Sequence, residues 1–254
     1  IEDKNSEPMY YENLPFRFDT RGIIYNKRAH VYKVNIRTKK FSKIIDGDAK
    51  EIISIESLVE GDRGLVLSFD QYNSKGTMLE EKIGAIEGSK IKEIYSKGSM
   101  GNLFYYEDGL HAVGMRKRFD WPTNTTVLKI SNTGKVSYKY RSFDRNIVKA
   151  EVNEAILYFL YEDSGKTLLR DGTNNVDLIN SDVTIKDFAF NNEQTFVIAN
   201  SFSNPDEIYE LNNGQLTKIS KANESFTKKV KTWDCEYERI DTGKSEIDTW
   251  GIFV

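Results

Sequence analysis

Cysteine and histidine, the usual thiol nucleophile and general base of covalent catalysis, are scarce in this chain, which has one cysteine and two histidines among 254 residues. Such catalysis needs a nucleophile, a base and an orienting acid. His30, His111 and Cys235 lie far apart in sequence, and the string Gly98-Ser99-Met100-Gly101 lacks the G-x-S-x-G spacing of a nucleophile elbow. We therefore predict no catalytic residue, and we interpret the string as a turn in a loop between two repeats.

The sequence also gives little support for a metal site or a nucleotide-binding site. One cysteine and two distant histidines cannot form a structural zinc site. The segment Asp171-Gly172-Thr173-Asn174-Asn175 has some residues of a calcium loop but no glutamate at the required distance, so we interpret it as a plain turn. No glycine-rich phosphate loop is present. The sequence therefore predicts no metal and no cofactor.

Charged side chains near predicted strands are candidates for contacts with a peptide. Arginine binds carboxylates bidentately, so the basic run after residue 115 could attract a peptide carboxylate, although a solvated loop is the alternative. His111 could face a tunnel or simply pack in a sheet, and the acidic pair Glu80-Glu81 could bind a peptide amino terminus. The predicted substrate-gating residues are His111, Arg116, Lys117 and Arg118.

Composition and charge exclude several classes of partner. The chain is 39% hydrophobic and 30% charged, which is typical of a globular protein. Its net charge of -3, without a block of like charges, disfavours nucleic acid and anionic membranes as partners. No apolar run approaches the ~18 residues that span a bilayer. A single cysteine fits a reducing compartment, so we predict a cytoplasmic protein.

A weak repeat of about forty residues organises the chain. Five hairpins recur, each with an alternating strand, a polar turn and a second strand; they span His30–Ile45, Lys82–Tyr95, Thr126–Tyr140, Lys166–Ile179 and Glu207–Ile219. Glycine tolerates the positive φ of tight turns, and four of the turns contain one, whereas Lys39 occupies the first turn. The turn glycines are Gly88, Gly134, Gly172 and Gly214, separated by 46, 38 and 42 residues.

Continuous apolar runs lie between the hairpins and indicate strands covered on both faces. They are Leu65–Phe69, Leu103–Tyr106, Ala155–Tyr161 and Thr195–Ala199. Two inner strands followed by an outer hairpin, in roughly 40–50 residues, are typical of a propeller blade. Helical periodicity is nearly absent, and a β-sandwich would show no such repeat. The predicted fold is all-β, a β-propeller of about five to seven four-stranded antiparallel blades.

Several segments resemble one propeller family in particular. They are Phe16–Asp48, FDRNIVKA at Phe143–Ala150, and Ser201–Phe226, which begins SFSNPDEIYEL. Together they resemble the propeller of the prolyl oligopeptidase class of serine peptidases, nearest its acylaminoacyl-peptidase branch. Lys231–Val254 resembles that family's entry into an α/β-hydrolase domain. Two departures are the reversed order of Trp250-Gly251 and the Asp-Gly pair that Thr242 splits.

This resemblance implies a function for the chain as part of a larger enzyme. The catalytic Ser, Asp and His of the family all lie in the hydrolase domain, and the propeller admits short peptides and excludes folded proteins. We accordingly expect blades over residues 1–228 and an exit segment over residues 229–254. The implied partners are the chain's own downstream α/β-hydrolase domain and short peptides, and homo-oligomerisation is left open.

Two other classes of function remain open at the level of sequence. A stand-alone propeller could bind a protein or a glycan on its rim, because function resides in sites and not in folds. A propeller enzyme with its own active site would need carboxylates or metal ligands that converge on the axis. An apolar strand at a free terminus is an aggregation edge, so the ending Trp250–Val254 leads us to expect that more protein follows.

Overall fold

The computed structural model describes most of the chain. Its backbone is described for residues 16–18, 22–24, 27–107, 109–117, 123–140, 142–191, 194–232, 235–241, 243 and 246–252, and its side chains for the same residues from 27 to 232 and for 240, 241 and 243. Strands dominate this part, and each of the two helices there has only four residues, α1 (Gly47–Lys50) and α2 (Glu224–Thr227). Neither is long and apolar enough to cross a membrane.

The strands are numbered in chain order. They are β1 (Phe16–Phe18), β2 (Gly22–Ile24), β3 (Val31–Val34), β4 (Phe41–Ile45), β5 (Ile52–Gly61), β6 (Gly64–Tyr72), β7 (Leu79–Glu87), β8 (Lys90–Tyr95), β9 (Ser99–Tyr106), β10 (Gly109–Met115), β11 (Thr126–Ile130), β12 (Val136–Tyr138), β13 (Ile147–Asn153), β14 (Ile156–Asp163), β15 (Lys166–Asp171), β16 (Val176–Asp177), β17 (Thr184–Asn191), β18 (Gln194–Asn200), β19 (Glu207–Asn212), β20 (Gln215–Lys218), β21 (Cys235–Asp241) and β22 (Glu246–Ile252).

Four consecutive sheets have four strands each, and every strand pairs with its neighbour in sequence. They are β5–β8, β9–β12, β13–β16 and β17–β20, and the two-stranded sheets are β1–β2, β3–β4 and β21–β22. A succession of four-stranded antiparallel meanders is the architecture of a β-propeller. The predicted fold class is therefore confirmed. The described strands make four complete blades, and β3–β4 lies at the first predicted outer hairpin.

The chain divides into two compact units, residues 1–123 with 128–139 and residues 124–127 with 140–254. In the first unit, strand β6 explains why its apolar run does not alternate. Val66 packs in a core shared with β9–β12, whereas Leu67 packs in a core shared with β3–β4. Successive side chains of a strand point to opposite faces, and both residues are fully buried because each face has a covering sheet.

The second unit repeats this arrangement on strand β14. Leu160 joins the core that β13–β16 shares with β17–β20, together with Phe188 and Val197. Phe159, its neighbour on the opposite face, packs at 5.4 Å, edge to face, against the ring of Phe143. Offset and edge-to-face rings at such distances add to the stabilisation from buried area.

The hairpin turns follow the expected backbone chemistry with one correction. Residues at the predicted turn positions have positive φ, and the angles are 54° at Lys39, 64° at Gly88, 75° at Gly134 and 80° at Gly214. In the turn between β15 and β16, however, Asn175 has the positive φ of 62°. Gly172 is needed there for close approach instead, because a Cβ would lie 2.6 Å from Cε1 of Phe159 and 2.7 Å from the hydroxyl oxygen of Tyr140.

Candidate functional site

Strand β10 and the residues after it carry the predicted substrate-gating side chains. The guanidinium carbon of Arg116 lies 5.4 Å from the centre of the Tyr138 ring, a cation–π distance that holds the half-buried side chain in place. Its backbone carbonyl accepts a hydrogen bond from the hydroxyl of Tyr95. Lys117 is exposed, and Arg118 lies outside the described residues. A gating role for these three stays a prediction.

His111 is packed inside its sheet. Its side chain is 0% exposed and lies between the stacked ring of Phe104 and the edge of Tyr106, both at 5.7 Å. Burial lowers the pKa of His111, which keeps the imidazole neutral at pH 7. Nδ1 lies 3.0 Å from the carbonyl oxygen of Gly109, while the buried Nε2 has no hydrogen-bond partner among the described residues. His111 could contact a peptide only if the rings of Phe104 and Tyr106 moved. The gating role of His111 stays a prediction.

His30 lies in a cluster that resembles a metal site. Nδ1 of His30 is 3.4 Å from Asp46 and Nε2 is 3.9 Å from Asp48. The backbone N–H of Gly47, however, donates to Nδ1 at 3.0 Å, so that lone pair is already used. The ammonium of Lys43 lies 3.5 Å from Asp46, which also caps α1. These contacts explain the cluster as a helix cap fastened to His30.

The string Gly98-Ser99-Met100-Gly101 is not the loop that the sequence suggests, because β9 begins at Ser99. The hydroxyl of Ser99 donates to Glu81 at 2.9 Å, and Glu80 lies 3.6 Å from the ammonium of Lys82. Within the described residues, neither histidine is hydrogen-bonded to a serine, threonine or cysteine. No base and nucleophile therefore meet in this part of the chain. Cys235 starts β21, and its side chain lies outside the described residues.

The Asp171–Asn175 segment is a turn closed by its own aspartate. Oδ1 of Asp171 accepts the backbone N–H groups of Thr173 at 2.9 Å and Asn174 at 2.8 Å, and Oδ2 accepts the Asn174 side chain at 2.8 Å. Both carboxylate oxygens are thus used inside the turn, as in other Asx turns.

A cavity of about 360 Å³ lies in the first unit, beside four separate turns. Its polar lining comes from the turns of β5–β6, β7–β8, β9–β10 and β11–β12, or from strand residues next to them, and includes Asp62, Arg63, Glu87, Lys92, Tyr105 and Asn132. Sequence reasoning missed this site, because its residues are spread over 71 positions (62 to 132) with no common spacing.

The segment SFSNPDEIYEL contains a second polar centre, built around Glu207. This buried carboxylate accepts the backbone N–H groups of Ala222 at 3.0 Å and Asn223 at 2.9 Å and the hydroxyl of Ser220. The hydrogen bond from Ser220, aided by those backbone N–H groups, lowers the pKa of Glu207 to about 2. Glu207 therefore fastens the chain that follows β20 to the start of β19.

Comparisons with known proteins find similar proteins by structure alone. No protein family model matches the sequence, and no curated protein matches it. Pyrococcus horikoshii acylaminoacyl peptidase superposes with a TM-score of 0.72 and 15% identity, over 98% of this chain and 40% of that chain. An acylaminoacyl peptidase in complex with Z-Gly-Gly-Phe-chloromethyl ketone gives 0.69 and 16%, over the same shares of the two chains. Porphyromonas gingivalis dipeptidyl peptidase 4 gives 0.50 and 13%, over 90% and 35%.

These likenesses establish the fold of the chain. At identities of 13–16% they show a propeller of the kind that occurs in these peptidases. The chain spans about 40% of the length of the acylaminoacyl peptidases that it resembles.

Proposed function

We propose that this chain is the propeller domain of a serine peptidase of the prolyl oligopeptidase class, nearest the acylaminoacyl peptidases, and that it works with a separate α/β-hydrolase domain. The observation that carries the proposal is the superposition of 98% of this chain on 40% of the P. horikoshii enzyme. The segment Ser201–Phe226 supports it independently, since its resemblance to the family lies in sequence. Glu207 gives part of that segment a physical role, because it positions the chain that leaves the last complete blade.

In this proposal the chain contributes access control and no bond breaking. Sheets packed on both faces are rigid, so they restrict a neighbouring active site to peptides small enough to reach it. A covered site also excludes water, which strengthens electrostatic interactions inside it. Arg116 and Lys117 would attract the carboxylate of an arriving peptide, with Arg116 held in position by Tyr138. We also propose a cytoplasmic location, from the single cysteine.

Peptide hydrolysis by the full-length gene product that contains this chain tests the proposal. We expect that product to cleave short acylated peptides and to lose activity with a peptidyl chloromethyl ketone, whereas the 254-residue chain alone cleaves none. Hydrolysis by the 254 residues alone would contradict the proposal. A full-length product without peptidase activity would instead favour a stand-alone module that binds a protein or a glycan.

The gating residues are tested by the charge on the peptide carboxyl terminus. The double variant Arg116→Met and Lys117→Met removes both cations, and methionine preserves much of the packing on Tyr138. We expect KM for a free-acid peptide to rise about threefold to tenfold, as for partly exposed ion pairs, and KM for its amide to stay constant. Lys135→Met, at an exposed turn, is the matched control. Equal effects on acid and amide would exclude carboxylate recognition by these residues.

A further inference from the structure

In the part of the chain that the structure describes, two buried polar atoms of residues that line the 360 Å³ cavity have no hydrogen-bond partner. They are Nη1 of Arg63 and the hydroxyl oxygen of Tyr105. The other terminal nitrogen of Arg63, Nη2, donates to the carbonyl oxygen of Ile130 at 2.9 Å. Among the described residues Arg63 has no ion-pair partner. Buried polar groups are nearly always hydrogen-bonded, so these two atoms require an explanation.

Close packing of the backbone places the Tyr105 ring against the turn that carries Arg63. Gly61 lies two residues before Arg63, and a Cβ on Gly61 would lie 2.4 Å from Cζ of Tyr105. Only a glycine therefore lets the phenol ring lie against this turn. The hydroxyl-bearing end of the Tyr105 ring therefore lies next to the turn that carries Arg63.

The unpartnered atoms both donate hydrogen bonds, and one of them belongs to a cation. Their complement is an anionic oxygen acceptor, and guanidinium N–H groups fit a carboxylate best when two of them act together. Glu87 does not neutralise Arg63, because it is paired with Lys92 at 3.4 Å. Asp62 and Glu87 would repel a multiply charged anion such as phosphate. The lining therefore favours an anion with a single negative charge.

We propose that this cavity binds a small organic carboxylate, held by Arg63 and Tyr105. Its volume lies within the range of about 300–1,000 Å³ that is usual for small-molecule sites. Ala85, Ile94 and Leu110 provide an apolar part of the wall for a side chain. The proposal goes beyond the proposed function and does not depend on it, since all these residues lie in the first unit of this chain. Because both donor atoms are buried, binding requires the Arg63 guanidinium and the hydroxyl end of the Tyr105 ring to move toward the cavity.

Titration of the 254-residue chain with four probes tests this proposal. Binding is measured by isothermal titration calorimetry and by the shift in the thermal midpoint of unfolding. L-leucine and N-acetyl-L-leucine carry a carboxylate, leucinamide lacks it, and inorganic phosphate tests for a general anion site. We expect saturable binding of one or both carboxylates and none of leucinamide or phosphate. Stronger binding of L-leucine than of its N-acetyl form would identify a free amino acid as the ligand class, and the reverse would identify a simple carboxylate. Binding of no probe, of phosphate alone, or of leucinamide as tightly as leucine would overturn the proposal.

Two variants and a control separate ligand binding from folding. Tyr105→Phe removes only the hydroxyl and keeps the ring against Gly61, and Arg63→Met removes the charge. Each should weaken carboxylate binding about tenfold, the usual effect of losing a hydrogen bond to a charged group. Lys90→Met, on β8 but outside the lining, should leave it unchanged.

The stability of the unliganded protein gives a second readout. Tyr105→Phe should not lower the thermal midpoint without ligand, because the hydroxyl that it removes has no partner. A lower midpoint for Tyr105→Phe, or unchanged carboxylate binding in both variants, would overturn the proposal.

Discussion

The packing of sheet on sheet can be tested with two leucines that face each other across β5 and β6. Leu67 pairs with Leu58 in the register of these strands, yet Leu67 is 0% exposed and Leu58 is 46% exposed. Leu67 belongs to the core that joins the β3–β4 hairpin to the β5–β8 sheet. Substituting each with alanine removes the same atoms from two different environments.

The expected costs differ by a factor of about three. Leu67→Ala loses the transfer free energy of a buried side chain and leaves a cavity, which costs about 3 kcal/mol. Leu58→Ala loses roughly half of the transfer term and leaves no closed cavity, which costs about 1 kcal/mol. With a urea m-value of about 3 kcal/mol per M, the unfolding midpoint should fall by about 1 M and about 0.3 M.

Urea unfolding followed by circular dichroism measures both midpoints under one set of conditions. Equal shifts for the two variants would refute the packing of the β3–β4 hairpin on the neighbouring sheet. A shift below about 0.3 M for Leu67→Ala would do the same, because a fully buried leucine cannot be truncated at so little cost.

Three further predictions concern a carboxylate, two glycines and a tyrosine. The pKa of Glu207 falls from 4.5 to about 2 on folding, so its contribution to stability is complete above pH 4.5 and is lost as the pH falls toward 2. Glu207→Gln should therefore lower the thermal midpoint at about pH 6 and should lower it much less at about pH 2.5. Gly114→Ala should cost about 3 kcal/mol in urea unfolding, because its Cβ would lie 2.1 Å from a backbone carbonyl oxygen, whereas Gly88→Ala has open space and should cost about 1 kcal/mol. Burial and the carboxylate of Asp177 raise the pKa of Tyr161 to about 12, and Asp177→Asn should lower it in an NMR titration.

Each of these predictions has an outcome that contradicts it. A drop in midpoint for Glu207→Gln that is the same at both pH values would show that its charge does not stabilise the fold. If Gly88→Ala costs as much as Gly114→Ala, close approach of the backbone is not the reason for Gly114. If Asp177→Asn leaves the pKa of Tyr161 unchanged, the carboxylate does not contribute to it.

The outer hairpins could be predicted from sequence because their signals are local. The turn between β19 and β20 combines a period-two strand with Gly214, and both features lie within Glu207–Ile219. In the turn between β15 and β16, the positive φ was predicted at Gly172 but occurs at Asn175. Asparagine also tolerates that conformation, and Gly172 is required by the rings packed over it, which the sequence cannot show.

The first strand of most blades was harder to locate for a physical reason. β5, β13 and β17 each contain a shift in register, for example between Ile185 and Asp187 in β17. A bulge inserts one residue and moves the side chains that follow it to the other face, so the alternation of apolar and polar residues is broken. A continuous apolar run therefore marks only one of the two inner strands that the sequence predicts for each repeat.

The candidate functional sites depend on tertiary structure more than the hairpins and strands do. His111 occupies the strand that the sequence suggests, yet only the neighbouring rings of Phe104 and Tyr106 show that it is sealed. Arg63 and Tyr105 are 42 residues apart in sequence and line the same cavity, beside which the β5–β8 and β9–β12 sheets share a core. No spacing rule connects residues from separate blades, so this cavity was invisible in the sequence.

The location of the reactive serine tests the central claim most directly. The full-length gene product that contains this chain would be labelled with a fluorophosphonate and digested, and the labelled peptide would be identified by mass spectrometry. We predict a single labelled serine that lies outside these 254 residues. A labelled serine within them, or a full-length product that takes up no label, would contradict the proposal that this chain is the non-catalytic propeller of a serine peptidase.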